Sequence, residues 1–174
     1  MLRAWSDFYS GTPTEYSQQT GRLTSFSGKA YIKNSFFNGL SSTYGGSIYY
    51  DSSSSNLLML VESSTFINSQ ATNYGGAIYF SNSGQFVMFK VCGYGCKITT
   101  YDGQFNYVAV TNSISSKSEI HDSVICYTTH TSRYNVVYHC GGNVAVKQTN
   151  ISSNSIREIS LQAHPSSNGD SVAS

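Results

Sequence analysis

The chain has 174 residues, a net charge of +1, 11% charged residues and 14% aromatic residues. That length suits one domain with a substantial core, while the scarcity of Glu, Lys, Arg and Ala excludes an architecture built on exposed helices. Basic residues never cluster, which excludes an electrostatic footprint for nucleic acid, and no stretch approaches the apolar length of a membrane span or of a signal-peptide core.

In chain order, residues 1–28 read as an N-terminal cap or irregular segment, 29–161 as a repetitive β region and 162–174 as a disordered tail. Strand character recurs at short intervals over 30–37, 46–51, 56–68, 76–80, 85–91, 105–110, 123–128, 135–139, 143–152 and 156–161. These segments are rich in Tyr, Phe, Val, Ile and Thr, and Gly, Ser, Asn or Asp flank most of them. No segment carries a helical period, and the two prolines, Pro13 and Pro165, fall outside the strands. The fold class is all-β.

Two stretches of the middle region are nearly the same. Residues 44–50 read YGGSIYY and 74–80 read YGGAIYF, and upstream Phe36 and Asn38 return as Phe66 and Asn68. A fixed period in this range marks a solenoid in which each repeat rests on the next. In a parallel β-helix equivalent residues stack, so Gly45-Gly46 and Gly75-Gly76 form a sharp corner that needs positive φ and close backbone approach. Ile48 and Ile78 then point into the core, Tyr49 and Tyr79 outward, and Tyr50 and Phe80 inward, by strand alternation. Phe36 and Phe66 are expected to stack inside on another wall, with Asn38 and Asn68 in the following turn.

A shorter echo relates Gly84-Gln85-Phe86 to Gly103-Gln104-Phe105 at an offset of nineteen residues. Beyond residue 92 two registers fit. Cys96 and Cys126 continue the thirty-residue series, whereas residues 123–126 and 150–154 resemble 65–68 better at other offsets.

The combination of a Phe-containing turn motif with Gly-Gly-Ala-Ile resembles the repeats of the chlamydial polymorphic outer-membrane proteins, which carry FxxN and GGA followed by an aliphatic residue. Large sets of trichomonad surface proteins look similar. GGAI at 75–78 matches, GGSI at 45–48 substitutes Ser for Ala, and Asn38 and Asn68 stand two rather than three residues after their Phe. The resemblance implies a right-handed parallel β-helix, a pectin-lyase-like solenoid, displayed at a cell surface and used in adhesion or host contact.

Chemistry-bearing residues are sparse. Nine carboxylates form no DD, DxD or DxxD cluster, and Glu119 and Asp122 beside His121 come closest to a carboxylate-histidine group. Hydrolysis of a glycoside needs two facing carboxyls and a calcium-assisted lyase needs several carboxylate oxygens on one ion. The four histidines are scattered, and Cys92, Cys96, Cys126 and Cys140 allow three disulfide connectivities or serve as small hydrophobes. Tyr44, Tyr49, Tyr74 and Tyr79 line up as an outward aromatic ladder, suited to protein or carbohydrate contact as well as to sheet stacking. Asn150 heads the only glycosylation sequon. The expected function is that of a non-enzymatic, adhesin-like repeat protein contacting a host or cell-surface protein or carbohydrate, without cofactor or metal. Its expected location is the cell surface or extracellular space, as part of a longer protein. The alternative is a carbohydrate-active lyase or hydrolase on the same scaffold.

Overall fold

The computed structural model describes residues 5–53, 56–81, 83–128, 135–154, 161–164 and 172–173. Every named strand pairing is parallel, and each strand pairs with its equivalent one coil before and one coil after. The result is a right-handed parallel β-helix of about four turns. A coil visits four walls in order. The first wall is built from Thr14–Ser17, Lys29–Lys33, Leu58–Glu62, Gln85–Phe89, Lys117–His121, Asn143–Lys147 and Val172–Ala173. The second holds Phe36–Asn38, Thr65–Ile67, Cys92–Tyr94, Val124–Cys126 and Asn150–Ser152. Ser41–Tyr44, Gln70–Tyr74 and Lys97–Ile98 make the third, and Ile48–Asp51, Ile78–Ser81, Asn106–Ala109, Val137–Cys140 and Leu161–His164 the fourth.

Several segments that read as single strands in the sequence are cut by a corner. Residues 30–37 bend at Asn34, 56–68 at Ser63 and 143–152 at Gln148, each with positive φ. These belong to a column of left-handed residues, Gln18, Asn34, Ser63, Lys90, Asp122 and Gln148, placed where the first wall ends. One step further along, in three of these coils, a serine hydroxyl closes the turn. The Ser35, Ser64 and Ser123 hydroxyls each donate to the carbonyl two residues upstream, at 2.7–3.0 Å. In turn they accept from the backbone N–H groups of Gln19, Ser35 and Val91 in the preceding coil. This serine ladder is buried, and it satisfies corner N–H groups that would otherwise lack partners.

The core lies inside the four walls. Ile48 pairs with Ile78, Tyr49 with Tyr79 and Tyr50 with Phe80, and Ile48, Tyr50, Ile78 and Phe80 are all buried. The paired glycines divide their work. Gly45 and Gly75 take φ of 51° and 60°, whereas Gly46 and Gly76 serve close approach. A Cβ on Gly76 would lie 2.1 Å from the Gln104 carbonyl oxygen and 2.6 Å from that of Lys97.

The expected stacking of Phe36 on Phe66 does not occur. Phe37 stacks on Phe66 with ring centroids 4.8 Å apart, while Phe36 pairs with Thr65 and is 47% exposed. Likewise Asn38 pairs with Ile67, and the spatial neighbours of Asn68 in its column are Gly39 and Gly95. The reason is a bulge. Ser42 pairs with Ala71, twenty-nine residues on, but Tyr44 pairs with Tyr74, thirty on. The thirty-residue spacing therefore holds from Tyr44 through the fourth wall but not for the second wall or the start of the third. Coil lengths also vary. Lys29 pairs with Leu58, Leu58 with Gln85, Phe86 with Ser118 and Lys117 with Asn143, offsets of 29, 27, 32 and 26 residues.

The register beyond residue 92 follows the second alternative. Phe66 pairs with Gly93, Gly93 with Ile125 and Ile125 with Ile151. The Gly-Gln-Phe echo joins non-equivalent positions, because Gln85 and Phe86 begin a first-wall strand and Gly103 to Phe105 lead into the fourth wall. Gly103 is instead the equivalent of Gly45 and Gly75, with φ of 74°. At Gly93 the column of large second-wall side chains is interrupted, and the ring of Phe105 occupies the space: a Cβ on Gly93 would meet it at 2.4 Å. Phe105 stands in the column of Ser47, Ala77 and Val136 on the opposite side of the coil, and its ring meets Phe66 edge-on at 5.7 Å. One coil thus exchanges a large residue for a small one across its interior and keeps its volume.

The N-terminal segment expected as a cap does two things. Thr14–Ser17 adds a parallel strand to the first wall, and the short helix Trp5–Phe8 lies against the outside of that wall. Trp5, Phe8 and Tyr9 pack with Tyr31, Leu60, Val87 and Phe89, covering an outward face too apolar to be left to water. Leu161–His164, which crosses into the expected tail, and Val172–Ala173 within it pair with the fourth and first walls; the other tail residues, and residues 156–160, lie outside the described ones.

Because Gly76 faces backbone that side-chain motion cannot move, Gly76→Val should cost at least about 3 kcal/mol in urea unfolding. Phe105→Ala should cost about 3–5 kcal/mol through its cavity, and adding Gly93→Phe to that variant should recover part of the loss.

Candidate binding surfaces

The third and fourth walls place tyrosines in two adjoining columns. Tyr49, Tyr79, Tyr107 and Tyr138 stack along the fourth wall with centroids 5.5, 5.4 and 4.7 Å apart and ring planes within 13°. Tyr44, Tyr74 and Tyr101 form the second column, at 6.2 and 4.8 Å. The columns touch through Tyr44 with Tyr79 at 5.2 Å and Tyr74 with Tyr107 at 4.8 Å. Strand alternation sends these rings outward, and inter-coil pairing sets their separation. At one end Arg22 lies over the Tyr49 ring, held by hydrogen bonds to the Tyr44 and Gly45 carbonyls, and at the other His164 packs on Tyr138.

Burial raises the phenols of Tyr49, Tyr74, Tyr79 and Tyr107, and pushes that of Tyr138 up to about 12. All remain hydroxyl donors near neutral pH. The sequence reading found Tyr44, Tyr49, Tyr74 and Tyr79 but not Tyr101, Tyr107 or Tyr138. A signal for Tyr107 was present: tyrosine stands four residues after the corner glycine in Gly45/Tyr49, Gly75/Tyr79 and Gly103/Tyr107.

A second surface lies at the corner between the second and third walls. An open groove of about 510 Å³ runs there. Its floor is opened by Gly39 and Gly95, both with positive φ, and Asn68, Gln70 and Lys97 border it. Tyr94 and Tyr127 stand over it, 44% and 53% exposed, with centroids 5.1 Å apart. Neither tyrosine was singled out by the sequence reading, because their coils have unequal lengths and no repeat spacing relates them.

The carboxylate-histidine group proves not to be an open site. Glu119 and His121 are 2.8 Å apart on the outside of the first wall, but Phe8 packs on His121, and Asp122 occupies the left-handed corner. Burial opposes ionisation of Glu119, yet the His121 hydrogen bond and the charges of His121, Lys117 and Lys147 outweigh it and hold the carboxyl below its usual value. Among the described residues no group of three or more His, Cys, Asp or Glu could hold a metal ion, and no helix is long and apolar enough to cross a membrane. The four cysteines are free thiols; Cys92 is exposed, and burial pushes the Cys96 thiol up to about 12. Asn150 lies exposed on the second wall. The chain matches no family model, no curated protein and no solved structure.

His139 was not anticipated as anything but a scattered histidine, and it sits fully buried within the core. Asn106 Nδ2 donates to its Nε2 at 3.1 Å, which leaves the ring proton on Nδ1 to donate to Ser118 Oγ at 2.9 Å. Burial pushes the imidazole down to about 3, with a hydrogen bond to the Ser118 backbone opposing in part. The folded state therefore refuses a proton that the unfolded chain accepts. Its stabilising contribution is complete above the ordinary histidine value of about 6.5 and declines by about 1.4 kcal/mol per unit as pH falls below that value. Melting temperatures measured from pH 7 to pH 4 should fall less steeply for His139→Gln than for the unaltered chain.

Proposed function

We propose that this β-helix is a non-enzymatic contact protein, displayed at a cell surface in the manner of the repeat proteins its Gly-Gly-Ala-Ile stretch resembles. Its partner is a cell-surface protein or carbohydrate. The tyrosine wall is the observation that carries this reading. Seven rings are held in place by stacked coils, so contact with a partner costs little side-chain ordering. The dispersal of carboxylates also supports a contact role over hydrolysis, since Glu119 is covered from the side of Phe8 and Asn135 donates to Asp102. A fold alone decides no function, so the test addresses the surface itself.

Fluorescently labelled chain should bind cultured epithelial cells saturably, and Tyr44→Ser with Tyr101→Ser should weaken that binding about tenfold or more with the melting transition retained. Incubation with plant and animal polysaccharides should release neither reducing ends nor unsaturated sugars. Binding unaffected by the tyrosine changes, or turnover of any polysaccharide, would overturn the proposal.

A further inference from the structure

The groove between the second and third walls carries a second reading, which goes beyond the role given to the tyrosine wall. A single column of left-handed residues follows the second-wall strands: Gly39, Asn68, Gly95, Tyr127 and Ser153. Glycine and asparagine accept this conformation readily, whereas a bulky side chain resists it. Tyr127, with φ of 55°, is the only aromatic among the nine described non-glycine residues with positive φ. Its ring lies outside the core and against Tyr94, and the residue is 53% exposed. A strained residue that contributes little to the core points to a role at the surface.

What surrounds the ring specifies the ligand. Tyr94 and Tyr127 offer exposed aromatic faces, against which the C–H face of a pyranose packs. Gln70 spends only its amide nitrogen, on Ser41 Oγ at 3.4 Å, and its carbonyl oxygen can accept from a sugar hydroxyl. Among the described residues Lys97 supplies the one charge on the groove and no carboxylate lines it, and the described ion pairs, Lys33 with Glu15 and His121 with Glu119, leave Lys97 aside. An ammonium beside aromatic faces and an amide, with no acid among the described lining residues, suits a sugar that carries a carboxylate. The volume of the groove matches that of small-ligand sites, about 300–1,000 Å³.

We infer that the groove formed by Tyr94, Tyr127, Gln70 and Lys97 is a binding site for acidic glycans, taking a carboxylated pyranose with its ring on the tyrosines and its carboxylate on Lys97. Tyr127 is kept in a disfavoured backbone conformation because its ring is needed there.

Titration calorimetry with a glucuronate-containing disaccharide and sialyllactose, against lactose as the neutral control, tests the site. The unaltered chain should bind at least one acidic sugar and prefer it to lactose. Tyr127→Gly should reduce that binding about tenfold or more while melting no lower than the parent, because glycine relieves the strain. Tyr94→Ala should weaken binding similarly, and Lys97→Gln should abolish the preference for the acidic sugar. Absence of acidic-sugar binding at millimolar concentration overturns the inference, as does undiminished binding in Tyr127→Gly. A Tyr127→Gly chain that melts well below the parent makes the ring a structural element and overturns it too. Cell binding that persists in Tyr127→Gly but fails in the Tyr44→Ser, Tyr101→Ser variant would assign cell contact to the tyrosine wall, whatever the calorimetry says of the groove.

Discussion

Backbone N–H and C=O groups on all four walls point along the helix axis, so each coil satisfies them only through the coil before it and the coil after it. This one set of hydrogen bonds places every side chain about 4.8 Å above its equivalent. Like residues then stack on like, as Ile48 does on Ile78 and Phe37 on Phe66. The same closeness makes a mismatch costly unless it is answered within the same coil. Gly93 and Phe105 give such an answer, since one leaves the space that the other fills from across the interior.

Corners are where the chain accommodates this regularity. A left-handed residue turns each coil at the end of the first wall, and a serine hydroxyl in three coils converts the turn into a further link between coils. The bulge between Ser42 and Tyr44 lets adjacent coils differ by a residue without breaking the columns on either side. Length variation is thereby confined to corners and to the loop after the fourth wall, and the core keeps its cross-section.

With the interior committed to stacking, the outer positions are left for contact, and they differ from wall to wall. The first wall is covered by Trp5, Phe8 and Tyr9. On the fourth wall the outward column became tyrosine in four successive coils, where each ring supports the next. Near the second wall, by contrast, Tyr94 and Tyr127 stand apart from any long column, over a groove edged by amides and one lysine. The first arrangement is stabilised by its own repetition, whereas the second places an aromatic ring at a corner that glycine, asparagine or serine fills in other coils.

The all-β solenoid was legible from the sequence alone, because Gly-Gly-small-Ile-aromatic recurs across a stretch whose alternation already separates inside from outside. Ile48, Ile78, Tyr49, Tyr79 and the corner glycines could be placed from that recurrence, since local backbone geometry and strand period are properties of short segments. Which residue stacks on which in the second wall was decided only by the tertiary structure. Phe36 and Phe66 share a spacing in sequence, but the bulge shifts the register by one, and one residue of shift turns a strand's side chains to the opposite face. Tyr107 follows its corner glycine at the same distance as Tyr49 and Tyr79, but Tyr101, Tyr138, the Tyr94–Tyr127 groove and the buried His139 were not legible, because coils of 29, 27, 32 and 26 residues bring them together at no constant interval. A repeat records in sequence what each coil must be; how unequal coils align is settled by hydrogen bonds between them.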